Sequence, residues 1–544
     1  MRGAPRRGDE RAAPTIDIPP TQPPAPWSAW LPVIVLVVAL HALFLGRTLN
    51  AHNPNELSRL ILTAALADAA SIQVDEPMAA YGQPQDLAVR EGRHYSDKAP
   101  GLSFISAPLA WLLRFVLPAD DAGRYPDYWL LRHLLTLLTV LLPGVLLVFV
   151  ALRAYPACEP GARIACAGLL ALATPWFAYA TVYFGHVPGA VLSTAAYLLV
   201  LRPGRPEFAP TASLALVAGI LSGLAAFTEF AAAIVGAAIF AGMLLRRTRW
   251  HVLGLFVLGG IIGLVPLLMY NDAAFGSPFE TGYHFKTDVK HGAFHAQGFF
   301  GVTLPTAERL WGVLGSARRG LFFYAPILLL FPLGLWRMAR RCRRDVWPLL
   351  VAILGYICFS SGFVDWRGGW CGACRHLVPI VPLLLLPLAE VFDAAAHRLG
   401  LRLAVAALAG LSLINTLLSV IVTPYFPERF AAPLMQVAWK SFMQRAAAPN
   451  LLTELTGLSA WQAMLPIAAL FLAAGLTLLI RAFPSPRRSA SLVCTALVAI
   501  LLNIALQQAT TPPTQPADEN MRAMVLQRNG DRDLAIRIRS EAGL

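Results

Sequence analysis

Apolar stretches recur along this chain with almost no charge inside them. They lie near 29–48, 127–152, 163–183, 185–201, 211–228, 230–245, 252–270, 322–336, 346–363, 377–393, 402–423, 461–480 and 489–506. A helix that crosses a bilayer needs about 20 mainly apolar residues, each adding roughly 1.5 Å. As one helix, 211–245 would run to about 50 Å, too long for a single crossing, so it divides near Thr228-Glu229. Composition points the same way. The 544 residues are 57% hydrophobic and 14% charged, with a mean hydropathy of +0.58, whereas soluble domains are about 25% charged. A water-soluble enzyme, a disordered chain and a nucleic-acid-binding protein are excluded. The sequence reads as an all-α polytopic membrane protein with about 13 transmembrane helices.

The formal net charge of +13 follows from how membrane proteins orient. Basic residues collect in short loops on the cytoplasmic side. The segment 99–117 decides the arrangement. It is apolar but short, and holds Pro100, Gly101, Pro108 and Arg114. If it lies in the interface, seventeen Arg fall in internal loops, from Arg153 and Arg163 through Arg246, Arg247 and Arg249 and the run Arg337–Arg344 to Arg481, Arg487 and Arg488. If it spans, all of these move outside, against the positive-inside trend. The expected topology therefore has an interfacial helix in the first outer loop. The basic, Pro-rich tail 1–28 is cytoplasmic. It contains no apolar core and so is not a cleavable signal peptide. The transmembrane domain covers 29–506. The long loops 49–126, 271–321, 364–376 and 424–460 and the tail 507–544 all fall on the outer side, where polar chemistry would be concentrated. The tail begins Thr/Pro-rich and ends in a charged segment, Asp518–Ser540, which suits a flexible start followed by a short surface helix. There is no repeat of 20–50 residues and no inverted symmetry.

The first outer loop is the richest segment. Asn53-Pro54-Asn55-Glu56-Leu57-Ser58-Arg59 leads into an amphipathic helix near Leu60–Ala70, with Pro54 or Asn55 at its start and Glu56 in its first turn. Gly92-Arg93-His94-Tyr95-Ser96-Asp97-Lys98-Ala99-Pro100-Gly101 follows. By themselves, Glu56 fits a helix cap and Asp97-Lys98 a solvated turn. Together they resemble the GT-C glycosyltransferases, the protein O-mannosyltransferases (glycosyltransferase family 39) and the bacterial enzymes that move aminoarabinose onto lipid A. In that family an Asp-Glu pair opens a helix after the first span, and Gly-x-x-Tyr-x-Glu-Lys-x-Pro precedes an interfacial helix. Here Asn55-Glu56 and Gly92–Pro100 occupy those places, with Asp97 for the second Glu. The resemblance is good over about 29–200 and weaker beyond. More widely, Tyr95–Gly101, Phe184-Gly185-His186, Phe275–Pro278, Arg319–Phe322 and Cys374-Arg375-His376-Leu377 are similar to hallmarks of bacterial membrane proteins grouped with that superfamily.

The resemblance implies transfer of a sugar from a polyprenyl-phosphate donor to a lipid, glycan or protein acceptor, with inversion at the sugar carbon. It places the protein in a bacterial inner membrane with a periplasmic active site, N-terminus cytoplasmic and C-terminus periplasmic. It also assigns phosphate binding to Lys98. One departure matters. The position of the family's first carboxylate, its presumed base, is Asn55, and an amide cannot take a proton from a hydroxyl at neutral pH. Glu56, Asp97 and His186 remain as candidate bases, with Glu56 the first choice. Tyr95, His376 and Asn55 belong to the expected substrate site.

Five outer-loop cations, Arg59, Lys98, Arg318, Arg319 and Arg375, suit a lipid phosphate, Arg as a planar fork and Lys as a point charge. Any one alone would more often meet lipid headgroups. Glu229, in the short outer turn between two spans, is costly so close to hydrocarbon and needs a partner or a role. Trp370-Cys371-Gly372-Ala373-Cys374 imitates a redox motif, but a short loop between spans cannot supply the required βαβ scaffold; a local Cys371–Cys374 disulfide stays open. The aromatics of 270–285 suit sugar stacking or an interfacial belt. No nucleotide or fixed metal site is expected, although a Glu56–Asp97 pair could hold a divalent ion. A transporter or flippase, or a non-catalytic binder of lipid-linked sugars, is the competing reading. Transporters place ionisable groups near the midplane, and this sequence gathers them at the outer ends.

Overall fold

The computed structural model describes residues 26–45, 53–119, 125–205, 207–483 and 486–544. The N-terminal basic stretch 1–25 and the start of the first outer loop, 46–52, lie outside the described residues. Among the described residues, each apolar run of the sequence is mainly helical. Seven helices among the described residues are long and apolar enough to cross a membrane: Tyr128–Ala154, Trp250–Phe275, Arg343–Gly362, Arg375–Ala395, Leu399–Ile421, Ala460–Ala482 and Ser489–Thr510. Six more apolar helices are shorter, at 10–17 residues. The chain is a helical, multi-pass membrane protein. Breaks in the helices have local causes. Pro175 follows the end of helix Pro160–Leu172, and Glu229 at φ −151° separates Ala212–Thr228 from the helix that follows, as the length argument requires.

Helices Ala212–Thr228 and Trp250–Phe275 make the most intimate contact. Gly219 and Gly223 face Gly259 and Gly263, and a Cβ at any of the four would stand 2.1–2.4 Å from a carbonyl oxygen of the opposite helix. Two small-xxx-small stripes thus let the backbones touch, which suits association in lipid, where burial of apolar surface drives nothing.

The loops sort to two ends of the bundle. At one end the Arg-rich connections meet. Tyr155 Oη donates to Glu390 Oε1 at 2.6 Å, Arg341 to the Ala157 carbonyl at 2.7 Å, and the Gly204 amide to Asp345 Oδ2 at 2.7 Å. At the other end Tyr270 Oη donates to the Ser96 carbonyl at 3.0 Å, and Tyr179 Oη to that of Gly372 at 2.8 Å. The apolar helix Gly101–Leu113 is 13 residues long, about 20 Å at 1.5 Å per residue and short of a hydrocarbon core of about 30 Å. The chain before and after it returns to this same end. Tyr81 Oη donates to the Pro126 carbonyl at 2.8 Å, and Glu56 pairs with Arg132 at 2.9 Å.

Three elements differ from the expectation. The first outer loop is not wholly helical. Strands β1 (Leu87–Arg90) and β2 (Arg93–Ser96) form an antiparallel hairpin. Its turn residues Glu91 and Gly92 both have positive φ, 53° and 76°, the geometry that matches strand twist. Secondly, the helix expected to be amphipathic, Pro54–Ala69, is capped by the Asn53 side chain, and it is buried on all sides from Asn55 to Ala65. Residues of the 96–106 segment cover its outer face, through Ser58–Ser96 and Ser103–Arg59 contacts of 2.8 Å each. Lastly, the tail forms two packed helices, Pro516–Arg528 and Arg532–Glu541. Arg522 is buried and donates to Glu519 at 2.9 Å, while Asn529 donates to the Val422 carbonyl at 2.6 Å.

Candidate functional site

Three chain segments are pressed together at the loop-rich end. A Cβ on Gly101 would stand 2.5 Å from Thr228 Oγ1, one on Gly185 2.5 Å from the Thr228 carbonyl oxygen, and one on Gly189 2.8 Å from Glu229 Cβ. The residues flanking these contacts, Asp97-Lys98, His186 and Glu229, therefore converge. The 282–286 turn closes over them, since a Cβ on Gly282 would meet Asp97 Cα at 2.7 Å.

Asp97 lies at the centre of four interlocked charges. Lys98 Nζ stands 3.2 Å from Asp97 Oδ2 and 3.1 Å from Asp86 Oδ2. Lys286 pairs with Asp97 and stands 3.5 Å from Asp86 Oδ1. Burial pushes the Asp86 carboxyl up, but the two ammonium groups outweigh it and hold it well below the usual range. Burial pulls Lys98 down, whereas for Lys286 the two carboxylates overcome burial and raise it. Asp86 and Lys286 escaped the sequence reading. A signal was present: this Arg-rich chain has only four lysines, Lys98, Lys286, Lys290 and Lys440, and two of them meet here.

His186 begins helix His186–Val200. Its Nδ1 stands 2.8 Å from Glu229 Oε2, an ion-pair distance off the line of a hydrogen bond. Burial raises the Glu229 carboxyl, and His186 and Arg59 more than reverse this, leaving it at about 2. His376 packs edge-on to His186, ring centroids 6.1 Å apart. Arg59 donates to the Asn55 carbonyl at 3.3 Å and to the Asn55 side-chain oxygen. Its guanidinium feels Glu229, Asp97 and Arg375 together, and burial lowers its pKa. Arg375 lies against Gly368, within electrostatic reach of Asp86 and Lys98. Tyr95 is buried and packs edge-on to Phe275, centroids 5.9 Å apart.

Five buried polar atoms of this site, from four segments, have no hydrogen-bond partner among the described residues: Arg59 Nε, Asp97 Oδ1, His186 Nδ1, Arg375 Nε and His376 Nε2. Buried polar atoms are nearly always paired, so a group of unpaired ones marks a place prepared for another molecule.

Two expected site residues are committed elsewhere. Glu56 Oε1 accepts from Arg132 Nη2 at 2.9 Å and from the Tyr183 amide at 2.6 Å. Arg319, fully buried, donates to the carbonyls of Arg318, Arg367, Gly369 and Phe426 at 3.0–3.2 Å, which fastens the 364–376 loop to the 424–430 segment. Cys371 and Cys374 are free, buried thiols, and burial pushes Cys374 up to about 12, unlike a redox nucleophile. Among the described residues no three His, Cys, Asp or Glu side chains are placed to hold a metal ion. Glu56 turns to Arg132, and Asp97 to Lys98 and Lys286.

No protein-family model matches the chain, and no curated protein sequence matches it. Solved structures that it is similar to include ArnT from Cupriavidus metallidurans bound to undecaprenyl phosphate, at 16% identity and a TM-score of 0.47 over 90% of this chain and 82% of that one. The apo state of the same protein gives 16% and 0.45 over 86% and 78%. The archaeal oligosaccharyltransferase AglB from Archaeoglobus fulgidus, in complex with an inhibitory peptide and a dolichol-phosphate, gives 13% and 0.42 over 73% and 56%.

Proposed function

We propose that this protein is a GT-C-type, inverting glycosyltransferase that moves a sugar from a polyprenyl-phosphate donor to a lipid, glycan or protein acceptor at the outer membrane face. One observation carries the reading: partnerless buried donors on Arg59, Arg375 and His376, with a partnerless acceptor on Asp97, next to two lysines. A phosphate is the group that would use such donors. The apolar helices around them suit a polyprenyl tail.

In this reading Lys98, Lys286 and Arg375 hold the phosphate and stabilise the charge it gains as the sugar–oxygen bond breaks. His186 is the base. Glu229 Oε2, 2.8 Å from Nδ1, holds that side of the ring by charge and leaves Nε2 to take the acceptor proton. Glu56, whose Oε1 holds both Arg132 and the Tyr183 amide, is a structural anchor, and Asn55 positions Arg59. No metal is required for any of these steps. Ionisable groups gathered at the ends of the bundle, away from its middle, favour surface catalysis over transport.

The test uses the full chain in liposomes with a radiolabelled polyprenyl-phosphate sugar. Lys98→Met and His186→Gln should each keep the melting temperature within a few degrees and lose transfer, the latter by about 10²–10⁴-fold. Full transfer by both variants would overturn the proposal. So would sugar-lipid crossing the bilayer intact with no sugar released to any acceptor.

A further inference from the structure

The Arg-rich end of the bundle carries a second concavity, which the proposed reaction does not use. It is a groove of about 350 Å³ between the helices Leu142–Ala154 and His186–Val200. Leu147, Val150, Leu198, Leu199 and Leu386 line it, and Arg202 and Arg205 form its rim. The groove is on the lipid-facing side of these helices, where Leu146 and Val150 are each 44% exposed.

The rim is rigidly built. Asp345, which pairs with Arg246, accepts the Gly204 amide at 2.7 Å. Gly204, at φ +79°, lies so close to Tyr155 that a Cβ would meet the ring at 3.2 Å. Arg202 is held at φ 35°, a conformation that residues with side chains adopt only where the surroundings impose it, and one concentrated at ligand-holding sites. Its guanidinium lies 4.1 Å over the Phe208 ring. Of the other cations at this end, Arg246 pairs with Asp345 and Arg341 with Glu390, while Arg163 and Arg402 donate to backbone carbonyls. Among the described residues no ion pair is formed by Arg202 or Arg205.

We propose that this groove holds one acyl chain of an anionic glycerophospholipid, with its phosphate between Arg202 and Arg205. An apolar channel open to lipid calls for an apolar occupant, and two unpaired guanidinium groups at its mouth call for an anion. Arg forks match phosphate oxygens, and basic pockets between helices recognise anionic headgroups. A zwitterionic lipid brings the same phosphate together with a cation, which the two Arg would repel. The inference does not depend on glycosyl transfer.

Full-length protein purified in mild detergent would be loaded with phosphatidylglycerol or phosphatidylcholine and examined by native mass spectrometry. One phosphatidylglycerol should stay bound per chain, preferred over phosphatidylcholine by about tenfold or more, the value of one charge-assisted contact. Arg202→Gln/Arg205→Gln should abolish the preference. Leu198→Trp, which fills the groove, should remove the lipid while leaving both Arg. Arg205 is exposed, so Arg205→Gln alone gives a folded variant in which retention should fall by at least about fivefold. Arg481→Gln, in another loop, should change nothing. Equal retention of the two lipids, undiminished retention by Arg205→Gln, or displacement of phosphatidylglycerol by an equal concentration of a polyprenyl monophosphate would overturn the proposal. The last outcome would assign the groove to the carrier lipid.

Discussion

The pair of Glu56 and Arg132 decides whether Glu56 is an anchor or a base. Both side chains are about 6% exposed, and Nη2 and Oε1 are 2.9 Å apart. At an effective dielectric of about 20, two unit charges at that distance attract by about 6 kcal/mol, and desolvating them cancels most of this. Arg132→Met removes the attraction and leaves Glu56 buried beside the Tyr183 amide, which amounts to a loss of about 3–5 kcal/mol. Glu56→Gln keeps an oxygen for that amide but strands the buried Arg132 charge, so it costs a similar amount, about 3–5 kcal/mol. The double variant should recover part of the loss, since no charge is then stranded. Unfolding in detergent, followed by intrinsic fluorescence, gives the double-mutant cycle. Transfer per folded molecule should stay within about threefold of the parent for Glu56→Gln, because an anchor contributes nothing specific to the transition state. If Glu56→Gln abolished transfer while unfolding as the parent does, the reasoning would be wrong and Glu56 would be the base.

His295 stacks on Tyr283 at 3.9 Å, and burial, with Lys286 and Lys98, lowers it to about 4. The unfolded chain then binds the extra proton first, so stability falls as pH drops below about 6.5 and levels off below about 4. The loss is about 2 kcal/mol by pH 5, seen as faster hydrogen exchange across 282–300 and absent in His295→Phe. Glu229, held at about 2, behaves alike in a lower window: its pairing stabilises fully above about pH 4.5 and is lost progressively as pH falls from there through 2, so the Glu229 carboxylate adds no pH dependence to melting between pH 7 and 5. Gly185→Ala would drive a methyl to 2.5 Å from the Thr228 carbonyl oxygen, costing about 1–3 kcal/mol and lowering transfer further than melting predicts, because His186 is displaced with it. Cys371→Ser/Cys374→Ser should leave transfer insensitive to reductant, as the thiols are free; loss of transfer in reductant by the parent alone would contradict that.

The helices were legible because hydropathy reports them directly. Thr228-Glu229 was recognisable as a break from length alone, and the structure bends the chain there. The residue sites were legible only as members. Asp97, Lys98, His186, Glu229, Arg375 and His376 could be named from motifs and loop ends, and the structure brings them to one end. Their pairings could not be named, because each partner comes from a distant segment. Lys286 reaches Asp97 from 189 positions away, and Arg132 reaches Glu56 from 76. Arg132 also sits inside an apolar run, where a lone Arg reads as an edge of a span. The β1–β2 hairpin was missed because Glu91-Gly92 is a weaker turn signal than Asn-Gly. The helix Pro54–Ala69 looked amphipathic because a sequence cannot show the 96–106 segment laid across its polar face.

The charges of the cluster bear on the proposed chemistry. Lys98, Lys286, Arg59 and Arg375 face Asp86, Asp97 and Glu229, and Arg375 also feels Asp365, so the cations and carboxylates are nearly balanced before any donor binds. When the sugar leaves, the phosphate becomes a monoester, whose second pKa is about 6, and it gains most of a further charge at neutral pH. Only a cluster with cations in reserve can meet that gain. Lys98 and Lys286 are such a reserve: each is shared between two carboxylates and can turn one contact toward the phosphate without abandoning Asp97 or Asp86. The interaction would then be stronger in the transition state than in the bound donor, the condition for binding energy to accelerate a reaction. Arg319, spent on four carbonyls, has no such freedom, and its charge serves the loop that positions Arg375.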